Sequence, residues 1–94
     1  MRAEIKDAHD GRHLVAVRFQ RASPDGNEPA IEVIFHLHWP DDFTVKSDPF
    51  VLLLLSTTRI DTREPVGVTK EEMAEVMTTA VSEADRYDQS LLER

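Results

Sequence analysis

Apolar and polar residues alternate along the first part of the chain, whereas apolar residues recur at helical spacing near its end. The alternation covers residues 2–8, 13–21 and 30–39. Side chains of a strand point to opposite faces in turn, so this pattern is typical of half-buried β-strands. The third segment carries the clearest signal, since its apolar residues share one face without interruption: Ile31, Val33, Phe35, Leu37 and Trp39.

Turn-forming residues separate these segments. Asp10-Gly11 lies between the first two and supplies the positive-φ residues of a tight hairpin turn. Residues 23–29, rich in proline, glycine and asparagine, predict an exposed loop before the third strand. Phe43–Lys46, which lies between further turn formers, is a possible short fifth strand.

Residues 50–58 are apolar on both faces, which predicts a strand that is covered on both sides. A helix is the competing interpretation of so many leucines. The short length, the bounding prolines and the β-branched residues at the end favour a strand.

The segment 70–92 predicts one amphipathic helix. Thr69 is placed as its N-cap, and Glu72 completes a capping box. The helix has a single apolar stripe, formed by Met73, Val76, Met77, Ala80, Ala84, Tyr87 and Leu91. We therefore predict one α+β domain over residues 1–94, an antiparallel four-stranded meander with the C-terminal helix packed on one face. A helix that docks on another subunit is the alternative.

One helix covers only one face of such a sheet, and the other face would also be apolar. It would carry Leu14, Ala16, Ile34 and one pair of leucines, Leu52 with Leu54 or Leu53 with Leu55, which a one-residue shift in register exchanges. At about 25 cal/mol per Å², leaving such side chains in water forgoes several kcal/mol. We therefore expect another chain, most simply a like subunit, to cover this face through Ile34, Leu52 and Leu54.

The chain has a net charge of −7. This charge disfavours a groove for nucleic acid and binding to anionic membranes. Acidic residues lie on the outer face of the predicted helix, and Glu71 and Glu75 could dock a basic protein partner. A solvated acidic face near a helix N-terminus is the simpler interpretation.

Cysteine is absent, which excludes disulfides and thiolate metal sites and fits a reducing compartment. The N-terminus lacks the apolar core of a signal peptide, and the apolar run 50–55 is too short to span a membrane. We expect a cytoplasmic protein.

His36 and His38 are the candidate metal ligands. Residues i and i+2 of a strand share a face, so both imidazoles would point the same way. A metal would need further ligands, and His9, His13 and Glu32 are conceivable donors. Asp41 and Asp42 beside Trp39 also invite an acid–base interpretation, but aspartates in turns usually accept backbone hydrogen bonds.

No phosphate-binding loop, dinucleotide fingerprint or nucleophile elbow occurs in the sequence, and no cofactor is indicated. The pattern therefore favours a non-enzymatic protein-interaction module, such as a small acidic subunit, adaptor or inhibitor. It would act through an apolar sheet face and an acidic helix face. Two alternatives stay open: a small metal-dependent enzyme or metal-binding protein using His36 and His38, and a structural subunit of a larger assembly such as a virion or secretion apparatus.

Overall fold

The computed structural model of the chain describes residues 1–7, 13–21, 30–38 and 50–92, and of residues 91 and 92 it describes the backbone alone. The predicted turn at Asp10-Gly11, the loop 23–29, the possible strand Phe43–Lys46 and the aspartates beside Trp39 lie outside the described residues.

Four antiparallel strands form one sheet in the order β1-β2-β3-β4, and one helix follows them. The elements are β1 (Arg2–Asp7), β2 (His13–Gln20), β3 (Ala30–His38), β4 (Val51–Arg59) and α1 (Lys70–Leu92). The predicted α+β meander with a C-terminal helix is confirmed. The helix packs on its own sheet, mainly against β1 and β2.

The core lies between α1 and one face of the sheet, here called the helix side. Antiparallel partners share a face, so the pairs Val15–Phe35 and Val17–Val33 both point toward α1. Fully buried side chains of the two central strands meet three from the helix: Val15, Val17, Ile31, Val33, Phe35 and Leu37 against Val76, Ala80 and Ala84. The small alanines let α1 approach the sheet closely.

The start of α1 is fixed by the predicted capping box. The N–H of Glu72 donates to Oγ1 of Thr69 at 3.1 Å, and the N–H of Thr69 donates to Oε1 of Glu72 at 2.9 Å. Arg21, at the end of β2, binds both oxygens of Glu72 at 2.9 and 2.7 Å and also donates to the carbonyl of Gly67 at 2.7 Å. The helix N-terminus is therefore attached directly to the sheet.

A β-bulge divides β4. Ser56 pairs with Ile34, but the next residue of β3, Phe35, pairs with Leu54, so Leu55 is an extra residue on β4. Beyond the bulge Leu54 and Leu52 lie on the helix side, because their partners Phe35 and Leu37 do.

Leu53 pairs with His36 and therefore lies on the opposite face, here called the outer face. Leu53 belongs to one of the two predicted leucine pairs, and the pairing register assigns no face to its companion Leu55, which is the extra residue of the bulge.

The C-terminal part of β4 has a partner on its outer edge. The N–H of Val66 donates to the carbonyl of Thr57 at 3.1 Å, and the N–H of Arg59 donates to the carbonyl of Glu64 at 3.0 Å. Thr58 and Pro65 form an antiparallel bridge between these bonds. Within the described ranges, nothing pairs with the outer edge of residues 51–55.

Candidate functional site

The N-terminal part of β4 exposes large apolar side chains on both faces of the sheet. Val51 is 38 % exposed, Leu53 47 %, Leu54 53 % and Leu55 50 %. We call these four residues the apolar edge. They lie on the last strand of the sheet, where the backbone has no strand beside it in the described part of the chain. An exposed apolar edge strand readily pairs with another chain, so it is the strongest candidate for a binding site.

The sequence-predicted contact residues do not share one surface. Leu54 belongs to the apolar edge, but it lies on the helix side. Leu52 lies on the helix side too and is half-buried against the core. Ile34 lies on the outer face, half-buried on β3 opposite Ser56. The structure therefore groups the exposed apolar residues by strand rather than by face, and a role for Ile34 and Leu52 in binding stays a prediction.

The outer face is less apolar than the sequence pattern suggests, because an ion-pair cluster occupies it over β1 to β3. We call this the Glu32 cluster. Its centre is Glu32, whose side chain is only 3 % exposed. Arg18 donates to one carboxylate oxygen at 2.7 Å, and Arg63 donates to the other at 3.1 Å. Lys6 lies 3.9 Å away and also contacts Glu4 at 3.4 Å.

The cluster keeps Glu32 ionised in spite of its burial. Burial alone would raise the pKa of the carboxyl, but the hydrogen bonds from Arg18 and Arg63 and the charge of Lys6 outweigh it. The pKa of Glu32 therefore lies below its ordinary value. The hydrogen bond to Glu32 in turn raises the pKa of Arg18. A carboxylate held in this way is a structural anion, not a general base available to a substrate.

The two candidate metal ligands point the same way, as their spacing predicts. The ring centroids of His36 and His38 are 5.7 Å apart on the outer face. Among the conceivable donors, His13 lies on the helix side, and Glu32 is engaged by two arginines. His9 is outside the described residues. In the described ranges, no group of three or more potential ligands comes together.

His13 takes part in a different contact that the sequence did not indicate. Its Nδ1 lies 2.7 Å from Oδ1 of Asp7, its partner across the β1–β2 pair. Its ring lies 5.4 Å from that of Tyr87, which is half-buried on α1. This contact joins the end of the first strand pair to the C-terminal half of the helix. Asp7 is exposed, so the contact is a surface feature rather than an enclosed catalytic pair.

A surface concavity of about 730 Å³ lies elsewhere, at the junction of β1, β2 and α1. Its lining includes Met1, Phe19 and Glu75, and none of the described residues that line it is a histidine. The concavity and the histidine pair therefore do not coincide, whereas enzyme sites usually combine a cleft with reactive side chains.

The acids of α1 have two different environments. Glu71 and Glu75 are exposed, as a docking stripe would require. Glu72 is held by Arg21, whose hydrogen bonds, together with that from Thr69, lower the pKa of its carboxyl. The stripe lies over the β1–β2 half of the sheet, away from the apolar edge. No helix in the described part of the chain is long and apolar enough to cross a membrane.

Comparison of the chain with protein-family models, with curated proteins and with solved structures gives no significant match.

Proposed function

We propose that the protein is a non-enzymatic protein-interaction module that binds its partner through the apolar edge of β4. The observation that carries this proposal is the exposure of Leu53, Leu54 and Leu55, each about half accessible to solvent on a strand whose outer backbone pairs with none of the described residues. A sheet whose edge strand is exposed to solvent normally has charged residues, proline or a bulge on that strand. This strand has a bulge but carries no charge before Arg59.

The mode of binding that suits such a strand is β-strand addition. An added strand satisfies the unpaired N–H and C=O groups of β4 and covers its side chains on both faces. Affinity then comes from the main-chain hydrogen bonds together with burial of the exposed leucines, at about 25 cal/mol per Å² of apolar surface. The chemistry needs neither a metal nor a cofactor.

The acidic face of α1 is proposed as a second, electrostatic contact. Glu71 and Glu75 are exposed near the helix N-terminus, and the net charge of −7 steers basic proteins toward the molecule while it repels nucleic acid. We further propose that the protein acts in the cytoplasm, which the absence of cysteine supports.

Affinity capture from the native host tests the role of the apolar edge. The baits are the tagged wild type, Leu54→Lys and the control Val81→Lys, which places the same charge on an exposed apolar residue of α1. We expect mass spectrometry to identify a protein, either a partner or the chain itself, that the wild type and Val81→Lys retain and Leu54→Lys loses. Reconstitution with that protein in purified form should show at least about tenfold weaker binding to Leu54→Lys, because a lysine on the edge disfavours strand addition.

The opposite result would contradict the proposal. If folded Leu54→Lys, with a wild-type circular dichroism spectrum, retains every protein that the wild type retains, then the apolar edge is not a binding surface. A parallel bait with Glu71→Lys and Glu75→Lys tests the acidic face independently.

A further inference from the structure

We infer that the apolar edge binds a second copy of this chain, with the two β4 strands paired antiparallel about a two-fold axis near Leu53. The inference rests on the proposed function and names its partner. It is argued from the length of the unpaired edge, the order of its residues and the placement of charge.

The unpaired edge has a defined length. The segment around Pro65 already pairs with Thr57, Thr58 and Arg59, so an incoming strand is stopped at that end. The strand begins at Val51, so the accessible stretch runs from Val51 to Leu55. A second copy brings a stretch of the same length and the same stop. Parallel stretches in register would bring the two Pro65 segments against each other, whereas antiparallel stretches centred on Leu53 overlap over their whole length.

The side chains of this stretch are self-complementary in that register. Leu53 lies opposite Leu53 of the second copy, and Leu54 lies opposite Leu52. Directly opposed residues of antiparallel strands share a face, so these pairs are apolar on apolar, and Leu55, the extra residue of the bulge, adds an apolar side chain near Val51. An interface in which the same patch is used twice is the form that a two-fold dimer requires.

The placement of charge favours a like chain at this surface over a basic partner. No charged residue precedes Arg59 on β4. The acids of α1 lie over β1 and β2, and the Glu32 cluster extends from β1 to β3. Strands lie about 4.8 Å apart, so the acids of α1 and of the Glu32 cluster in two paired copies are separated by several strands, beyond the Debye length of about 8 Å. Among the described residues, the acids nearest the contact are Asp61, which is paired with Arg59, and Glu64, which lies beside the stop at Pro65. The acids of the helix and of the Glu32 cluster therefore do not oppose this contact, and a basic partner would find no acid on the strand.

The resulting dimer has a specific shape. Two four-stranded sheets join into one of eight strands, with β4 beside β4 at its centre. A two-fold axis perpendicular to the sheet leaves both helices on the same side. No outer edge of a β4 strand is then exposed to solvent, which removes the aggregation hazard that an unpaired apolar edge carries.

Sedimentation equilibrium of the wild type, Leu54→Lys and Val81→Lys tests the oligomeric state. We expect a dimer for the wild type and for Val81→Lys, and a rise of at least about tenfold in the dissociation constant of Leu54→Lys, where two copies of the lysine enter one interface. The dimer should persist at high salt, because the paired side chains of β4 carry no charge, whereas a contact between acidic and basic surfaces would weaken.

Single-cysteine variants test the register, because the natural chain has no cysteine. Leu53→Cys places two thiols opposite each other at the two-fold axis, and opposed Cβ atoms of paired strands are close to the separation that a disulfide needs. We expect Leu53→Cys to form a disulfide-linked dimer under mild oxidation faster than Leu55→Cys, which lies near Val51 of the second copy. Val81→Cys, which is also exposed but lies on α1, is the control and should crosslink only slowly.

The outcomes separate this inference from the function on which it rests. A monomeric wild type at micromolar concentrations, or a dimer that Leu54→Lys leaves intact, overturns the inference. If the wild type is monomeric, the proposed function still stands when a different purified protein binds the wild type and not Leu54→Lys. A dimer in which Leu53→Cys crosslinks no faster than Val81→Cys shows that another surface mediates dimerisation, and it overturns the inference as well.

Discussion

The carboxylate of Glu32 shows how a charged side chain comes to be buried in so small a protein. It lies on the outer face between the arginines of β2 and of the turn after β4, with Arg18 at 2.7 Å and Arg63 at 3.1 Å. Arg63 itself has a backbone φ of 62°, which costs energy for a residue with a side chain. The ion pair between Arg63 and Glu32 stabilises the turn in this conformation.

Glu32→Gln should destabilise the folded protein by about 1–3 kcal/mol at neutral pH, because the two arginines lose a charged acceptor. Their own side chains reach solvent, which limits the loss. Urea unfolding measures the free-energy change. The matched control is Glu4→Gln, an exposed member of the same cluster, for which we expect at most about 0.5 kcal/mol. An equal effect of both substitutions would contradict the central role of Glu32.

The stability of the fold should depend on pH through Glu32. The pKa of Glu32 is lower in the folded chain than in the unfolded chain. The contribution of ionised Glu32 to the free energy of unfolding is therefore complete at pH values above the pKa of the unfolded chain. It is lost as the pH falls through the pKa of the folded chain. The difference in unfolding free energy between the wild type and Glu32→Gln should shrink as the pH is lowered below about 4. A difference that stays constant to lower pH would show that charge is not its source.

At the scale of elements, the helix is the part that the sequence predicts best. Its capping box, its first residue and its apolar stripe from Met73 to Tyr87 follow from local spacing, which tertiary contacts did not alter. The strands are also predicted within about one residue at the ends that the structure describes, because alternation survives wherever one face is buried. Contacts between distant segments, such as Arg21 with Glu72, could not be predicted, because they depend on how the elements pack.

The last strand shows where prediction from the pattern fails. A continuous apolar run predicts burial but does not reveal a bulge, since the extra residue Leu55 changes the faces of its neighbours without changing the composition. The run was expected to be covered on both sides, yet Leu53 and Leu54 are about half exposed. The cluster around Glu32 was missed for a similar reason: alternation assigns a residue to a face but not to a partner across strands.

Thr69→Ala tests how much the N-cap contributes to stability. Loss of the hydroxyl that accepts from the N–H of Glu72 should lower the unfolding free energy by about 1 kcal/mol. Thr78→Ala is the control, because Thr78 is exposed within the same helix and alanine is the better helix former, so its effect should be neutral or slightly stabilising. Chemical denaturation compares the two. Equal losses would mean that the capping hydroxyl has no special role.

At the scale of the whole molecule, polarity is divided between the two halves of the sheet. The half under α1 carries the acidic helix and the Glu32 cluster, and the half at β4 carries the apolar edge. In the proposed dimer, this division places the charged half in solvent and the apolar edge at the contact. It also means that folding and association are linked, because the dimer proposed above forms only from folded chains.

Thermal unfolding of the wild type should therefore depend on protein concentration. Mass action stabilises a folded chain that binds a second folded chain, so the midpoint temperature Tm should rise as the concentration is raised through the dimer dissociation constant. For Leu54→Lys the rise in Tm should begin only at a concentration at least about tenfold higher, and Val81→Lys should follow the wild type. Scanning calorimetry over a wide concentration range measures this. If the Tm of the wild type stays constant while sedimentation shows the dimer population changing, association does not require the folded strand, and β4 pairing is the wrong explanation for the dimer.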